Sequence, residues 1–180
     1  AHADDNMAFL RNTVGFELSR RLGLAYTPAQ QPVELVINGS YRGLYMLTEN
    51  IRIAKDRVNI FELLDEATDD VTGGWITEID NYDDPAQIKL TEGNGETLRI
   101  TYHSPEILSS EQEQFLTQQM NAIDDAIYTS DKSSQEWEKL VDIDALARFY
   151  IVQEIMDNAE SFHGSCYIHR DQKKKKKWTF

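Results

Sequence analysis

Residues 33–51 read "VELVINGSYRGLYMLTENI". Two apolar stretches rich in β-branched and aromatic residues flank Asn38-Gly39, a dipeptide that accepts the positive φ of a tight hairpin. The stretch predicts two antiparallel strands joined through "NGSYRG" (38–43). Upstream, Met7, Leu10, Val14, Leu18 and Leu22 keep helical spacing, with Asp5 or Asn6 to cap the helix and Gly23 to stop it. Downstream, "NIFELLDE" (59–66) predicts a short helix, and "TGGWITEID" (72–80) a strand entered through two glycines. "QIKLTE" (87–92) and "TLRITYH" (97–103) pair across Gly93-Asn94-Gly95. Ser109 or Ser110 caps a helix with Leu116, Met120, Ile123 and Ile127 on one face. "SSQEWEKLV" (133–141) is amphipathic. "IDALARFYIVQEIM" (143–156) is apolar on most sides and is expected to form a buried helix. "CYIHR" (166–170) and "KWTF" (177–180) close a last hairpin around a lysine-rich turn. Hairpins early, helices late and a terminal hairpin make this an α+β chain, with no repeat and no linker to divide residues 1–180.

Composition narrows the function. The chain has 180 residues, 41% of them apolar and 10% aromatic, enough to bury a core. Eighteen Lys and Arg against 31 Asp and Glu give a formal charge of −13, which argues against a nucleic-acid partner held by a basic surface. It permits a cation-loaded ligand such as a metal–nucleotide. One cysteine, Cys166, excludes an internal disulfide framework. No apolar run reaches the length of a membrane span. The opening "AHADDNMAF" reads as a cut inside a longer chain, so localisation is not decided by sequence.

Several residues invite chemistry. His163, Cys166 and His169 are zinc-type ligands, but a strand over 166–170 points Cys166 and His169 to opposite faces, and no fourth ligand is near. His169-Arg170-Asp171 spells the H-R-D of ordinary protein kinases, yet Lys176 stands where the motif needs an Asn, and the tripeptide lies where a strand turns. Lys173–Lys177 reads as a solvated hairpin tip. "NGSYRG" could lay backbone N–H groups over phosphates, although it is neither G-x-G-x-x-G nor a Walker sequence. Glu49 ends an apolar strand, either exposed or held by a partner. Asp157 follows a helix C-terminus, the unfavourable end of the macrodipole for an acid, which calls for a compensating partner or a task; a loop aspartate that meets water is the plain alternative.

The blocks "MAFLRNTVGFELSRRLGL", "VELVINGSYRGLYMLTENI", "GGWITEID" and "EIMDN…HGSCYIHRD…KWTF" occur in an order that resembles the spore coat protein H (CotH)-like atypical protein kinases. "INGSYRGLYMLTE" is the most specific of them. The resemblance implies a diverged protein-kinase-like fold that transfers the γ-phosphoryl group of ATP, with Mg²⁺ (or Mn²⁺), to Ser or Thr of a secreted or coat protein. It implies an extracellular or cell-surface setting. Asp157 matches the catalytic aspartate. Ser165 stands where many members carry Asn, a metal ligand beside Asp157. Glu49 matches the glutamate after the "GLY" strand, pairing with a lysine or the nucleotide, and Gly39 and Gly43 go with it on the nucleotide side. Lys55 and Lys89 are the available phosphate-binding lysines. In the family, "KWTF" leads to a "WD" segment whose aspartate holds the metal, and strands precede the first helix. This chain therefore reads as a core fragment, expected to fold but not to transfer phosphate by itself. The rival reading is a non-catalytic kinase-like surface module for a protein or carbohydrate partner. A carboxylate-pair glycosidase on Asp80 and Asp157 is weaker, because no second motif fixes their separation.

Overall fold

The first hairpin forms as its turn chemistry requires. β1 (Gln30–Ile37) and β2 (Ser40–Thr48) pair antiparallel with Ile37 opposite Ser40. Asn38 and Gly39 both have positive φ, 51° and 77°, the pairing of a two-residue turn that follows strand twist. In this computed structural model, which describes residues 10–131, 133–173 and 176–180, the hairpin is a separate two-stranded sheet. α1 (Arg11–Leu22) precedes it and stops at Gly23, whose φ of 74° lets its N–H reach the Arg20 carbonyl. Asp5, Asn6 and Met7 lie outside the described residues.

The second sheet has five antiparallel strands. β3 (Trp75–Asp80), β4 (Gln87–Thr91), β5 (Thr97–Ser104), β6 (Cys166–Arg170) and β7 (Trp178–Thr179) lie in the order β4-β5-β3-β6-β7. α2 (Ser110–Ile127) covers one face and sets Leu116 and Met120 against Trp75, Ile100, Ile168 and Trp178. Fully burying side chains of this size stabilises by about 1.5–3 kcal/mol each, so this layer dominates the core. The strand pairing sets Ile76 beside His169 and Glu78 beside Tyr167. Alternation turns those four to the opposite face, toward α1 and α3 (Ile143–Ile155). The fold is thus α+β, with helices on both faces of an antiparallel sheet.

Two expectations are corrected. Residues 59–66 form no helix but an extended strap. The Phe61 N–H bonds Asp171, the Leu64 carbonyl accepts from Gln112, and Asp65 accepts from the Glu106 and Ile107 N–H groups. Eight residues nucleate a helix poorly, and these distant partners claim the backbone instead. The amphipathic 133–141 segment holds a short 3₁₀ helix, Glu136–Lys139. α3 is not buried all round: Val152 is, while Tyr150, Ile151 and Ile155 are 51%, 45% and 63% exposed. One face packs on α1 and the sheet, and no described element covers the other.

The double glycine before β3 is a crossing point. A Cβ on Gly73 would stand 2.1 Å from the Gln172 nitrogen, and one on Gly74 2.5 Å from the Leu63 nitrogen. The 59–66 strap and the chain leaving β6 therefore pass against bare backbone.

Candidate active site

Between α1, α3 and the free face of the large sheet lies a cavity of about 470 Å³, within the range of small-molecule sites. Its apolar wall includes Phe16, Ile76, Val152 and Met156, and its polar groups include Tyr26, Asn158, Ser165 and His169. Burial pulls the pKa of His169 down to about 4, against the attraction of Asp171 and Asp142, so the imidazole is neutral near pH 7.

Asp157 is exposed at the edge of this cavity, between Met156 and Asn158, which both line it. α3 ends at Met156; the Asp157 N–H then bonds the Glu154 carbonyl and the Asn158 N–H the Gln153 carbonyl. That double closure needs a left-handed residue at Asp157, whose φ is 48°. Glycine or asparagine is the usual occupant. The compensation expected at this helix end comes from Arg11, whose guanidinium donates to the carbonyls of Met156 and Asp157 (2.6 Å for the latter). The partner meets the backbone, and the carboxylate is left facing solvent.

The 157–165 loop is tied down elsewhere. His163 Nδ1 lies 2.5 Å from the Asn81 amide and its Nε2 3.1 Å from the Ala159 carbonyl, the pattern of an imidazole protonated on Nε2. Phe162 packs edge-on against Phe149. Ser165 ends the loop at a φ of 49°, exposed and lining the cavity. So Asp157 and Ser165 stand at the two ends of one loop; Ser165 lines the cavity, and Asp157 lies beside its lining residues without lining it.

Glu49, Gly39 and Gly43 do not line it. Glu49 is held by a partner, and the partner is neither lysine. It accepts from the Ala29 N–H at 2.8 Å and the Tyr26 hydroxyl at 3.3 Å, and its other oxygen lies 3.3 Å from Arg57. The Ala29 bond leads in lowering its pKa, with Arg57 helping. Through Tyr26 it braces the segment from Leu24 to Pro28, part of the cavity wall. Lys89 is paired with Asp83 at 2.7 Å on the large sheet, and Lys55 is exposed in the turn before Val58. Gly39 and Gly43 sit on the exposed hairpin.

Cys166 is buried on the core side, its thiol pushed up to about 12 by burial and by Glu78, and is inert. His169 faces the cavity instead, so the zinc set does not assemble. Asp171 accepts from the Phe61 and Lys173 N–H groups and serves the turn. Lys174 and Lys175 lie outside the described residues; Lys173 sits over Phe61.

The sequence reading missed Arg11 and, above all, Glu78 on β3, and weighed His169 only as a zinc-type ligand and as part of a kinase-like tripeptide. The signal for Glu78 was a charged residue inside "WITEID", where Trp75, Ile76 and Thr77 are all buried.

No curated protein and no solved structure matches the chain. Residues 1–180 match the family described as CotH kinase protein. That match spans every residue from Ala1 to Phe180, and the chain belongs to the CotH kinase family.

Proposed function

We propose that this protein is a kinase-like phosphotransferase that moves the γ-phosphoryl group of ATP to a Ser or Thr hydroxyl of a protein substrate at a cell or spore surface. The observation that carries the reading is the whole-chain family match. The cavity edged by Asp157 and Ser165 supports it. Asp157 takes the proton of the acceptor hydroxyl as that oxygen attacks phosphorus; the bond to the bridging oxygen breaks and ADP leaves. Such transfer rests mainly on positioning and charge, which suits a site with few reactive groups. Among the described residues no three His, Cys, Asp or Glu side chains converge on a metal. Magnesium is nonetheless held by one or two carboxylates with water and phosphate oxygens making up the rest, and the Ser165 hydroxyl and Asp157 carboxylate are donors of that hard-oxygen kind. When bound, Mg²⁺ neutralises charge on the transferring group. The nucleotide side falls to Glu49 and the Gly39–Gly43 turn; the Glu49 bond to Tyr26 supports the first, and family resemblance alone the second. A kinase-like arrangement of the two sheets belongs to the same proposal.

Calorimetric titration with ATP, with and without Mg²⁺, and radiolabelled transfer by the full-length gene product test it. Asp157→Asn is expected to bind ATP normally and to lose transfer. No ATP binding under either condition would leave the non-catalytic surface module as the better reading.

A further inference from the structure

α1 and α3 run in opposite directions, and each lends an arginine to the C-terminal end of the other. Arg11, the first residue of α1, donates through Nη2 to the carbonyls of Met156 and Asp157. Arg148 of α3 donates through Nη1 to the carbonyl of Gly23, where α1 stops, at 3.1 Å. Gly15 lies one turn past Arg11 on the same face of α1. The Met156 side chain packs against it, 3.6 Å from where a Cβ would stand, and so seats the end of α3 on the start of α1. A cation in the first turn of a helix meets the unfavourable end of the macrodipole, and α1 has no acid in that turn to offset it. Arg11 is badly placed for its own helix and well placed for α3, whose last carbonyls carry the opposite partial charge.

The two carbonyls it holds belong to the two peptide planes on either side of the Asp157 Cα. A peptide is planar, and φ and ψ are the only soft dihedrals between one plane and the next. A guanidinium bonded to both planes therefore fixes φ and ψ of Asp157, and with them the direction of its Cα–Cβ bond. The restraint is needed there, because the φ of 48° is one that a residue with a Cβ rarely keeps.

We propose that Arg11 is a positioning residue for phosphoryl transfer: by holding both peptide planes of Asp157 it aims that carboxylate at the acceptor hydroxyl. The inference rests on the reading of Asp157 as the general base.

Arg148 supplies the control. It is the same side chain, also exposed, in the same kind of bond between the same two helices, and it lies more than two turns from Asp157. Arg11→Met and Arg148→Met keep the aliphatic stem and remove the donors. Radiolabelled transfer by the full-length protein gives kcat and the KM for ATP, and urea unfolding gives stability. Arg11→Met is expected to lower kcat about 10–100-fold with the KM for ATP little changed, since a misplacement on the order of 1 Å can cost about 10²-fold. Arg11→Lys, which retains a donor, recovers part of the rate. Arg148→Met loses stability and keeps its rate. Arg11→Met placed on Asp157→Asn slows transfer no further, because no base is left to aim. A normal kcat in Arg11→Met, an equal fall in Arg148→Met, or a second full loss in the double variant overturns the proposal and leaves phosphoryl transfer standing. Wild-type protein without transfer overturns it together with that function. Should Arg11→Met fail to fold, Arg11→Gln takes its place under the same criteria.

Discussion

At the scale of single residues, Asp157 carries two demands that point in different directions. The helix ending asks for glycine or asparagine, since a left-handed residue with a Cβ costs roughly 1 kcal/mol. The phosphotransferase reading asks for a carboxylate. Substitution separates the two. Asp157→Gly is expected to raise stability by about 0.5–1 kcal/mol, because it relieves the φ of 48°. Asp157→Asn is expected to leave stability nearly unchanged. Both are expected to lower transfer by about 10²–10⁴, the usual contribution of a general base. Urea unfolding and initial rates on the same samples read both quantities. A glycine variant that is more stable and fully active would mean that the acid has no task there.

At the scale of elements, what the sequence made legible was what local chemistry controls. The Asn38-Gly39 turn fixes the first hairpin, and Ser109 with Gln112, three positions on, caps α2 through a pair of reciprocal bonds. The 59–66 strap was illegible because its partners, Asp171, Gln112 and Glu106, lie 41 to 110 positions away. The exposed side of α3 was illegible for a related reason: an apolar helix face shows in sequence, and what fails to cover it does not. Glu49 was left open in the sequence as exposed or held by a partner; the structure gives it the Ala29 N–H, the Tyr26 hydroxyl and Arg57, eight positions on. The polar loop from Asp157 to Ser165 was legible as a stretch, whereas the buried Glu78 was hidden inside a strand. The glycines give this scale its prediction. Gly39 has nothing within 4 Å of an added Cβ, so Gly39→Ala meets only backbone strain and should cost about 1 kcal/mol. Gly73→Ala drives a methyl into the Gln172 backbone and should cost about 2–3 kcal/mol. Thermal melts of both variants rank them; equal losses would mean that the crossing relaxes freely.

At the scale of the whole molecule, the neutral imidazole of His169 couples global stability to pH. In the unfolded chain a histidine titrates near 6.5; in the fold, burial moves this one to about 4. Between those values the unfolded state binds the extra proton, so stability rises with pH. The full contribution is present above about pH 6.5 and is lost as pH falls toward 4. From pH 7.5 to pH 5 the loss attributable to His169 is about 2 kcal/mol. The carboxylates held low, Glu49, Asp70, Asp83 and Asp131 among them, lose their contribution only as pH falls below the ordinary carboxylate range, so they scarcely enter this window. His169→Gln removes the titrating ring while keeping a polar side chain at the cavity. Urea unfolding at pH 7.5, 6.5, 5.8 and 5.0 should give a flatter profile for that variant, by about 2 kcal/mol across the range. Identical slopes would mean that His169 reaches water in the native protein, and that the cavity between α1, α3 and the sheet is open enough to hydrate an imidazolium.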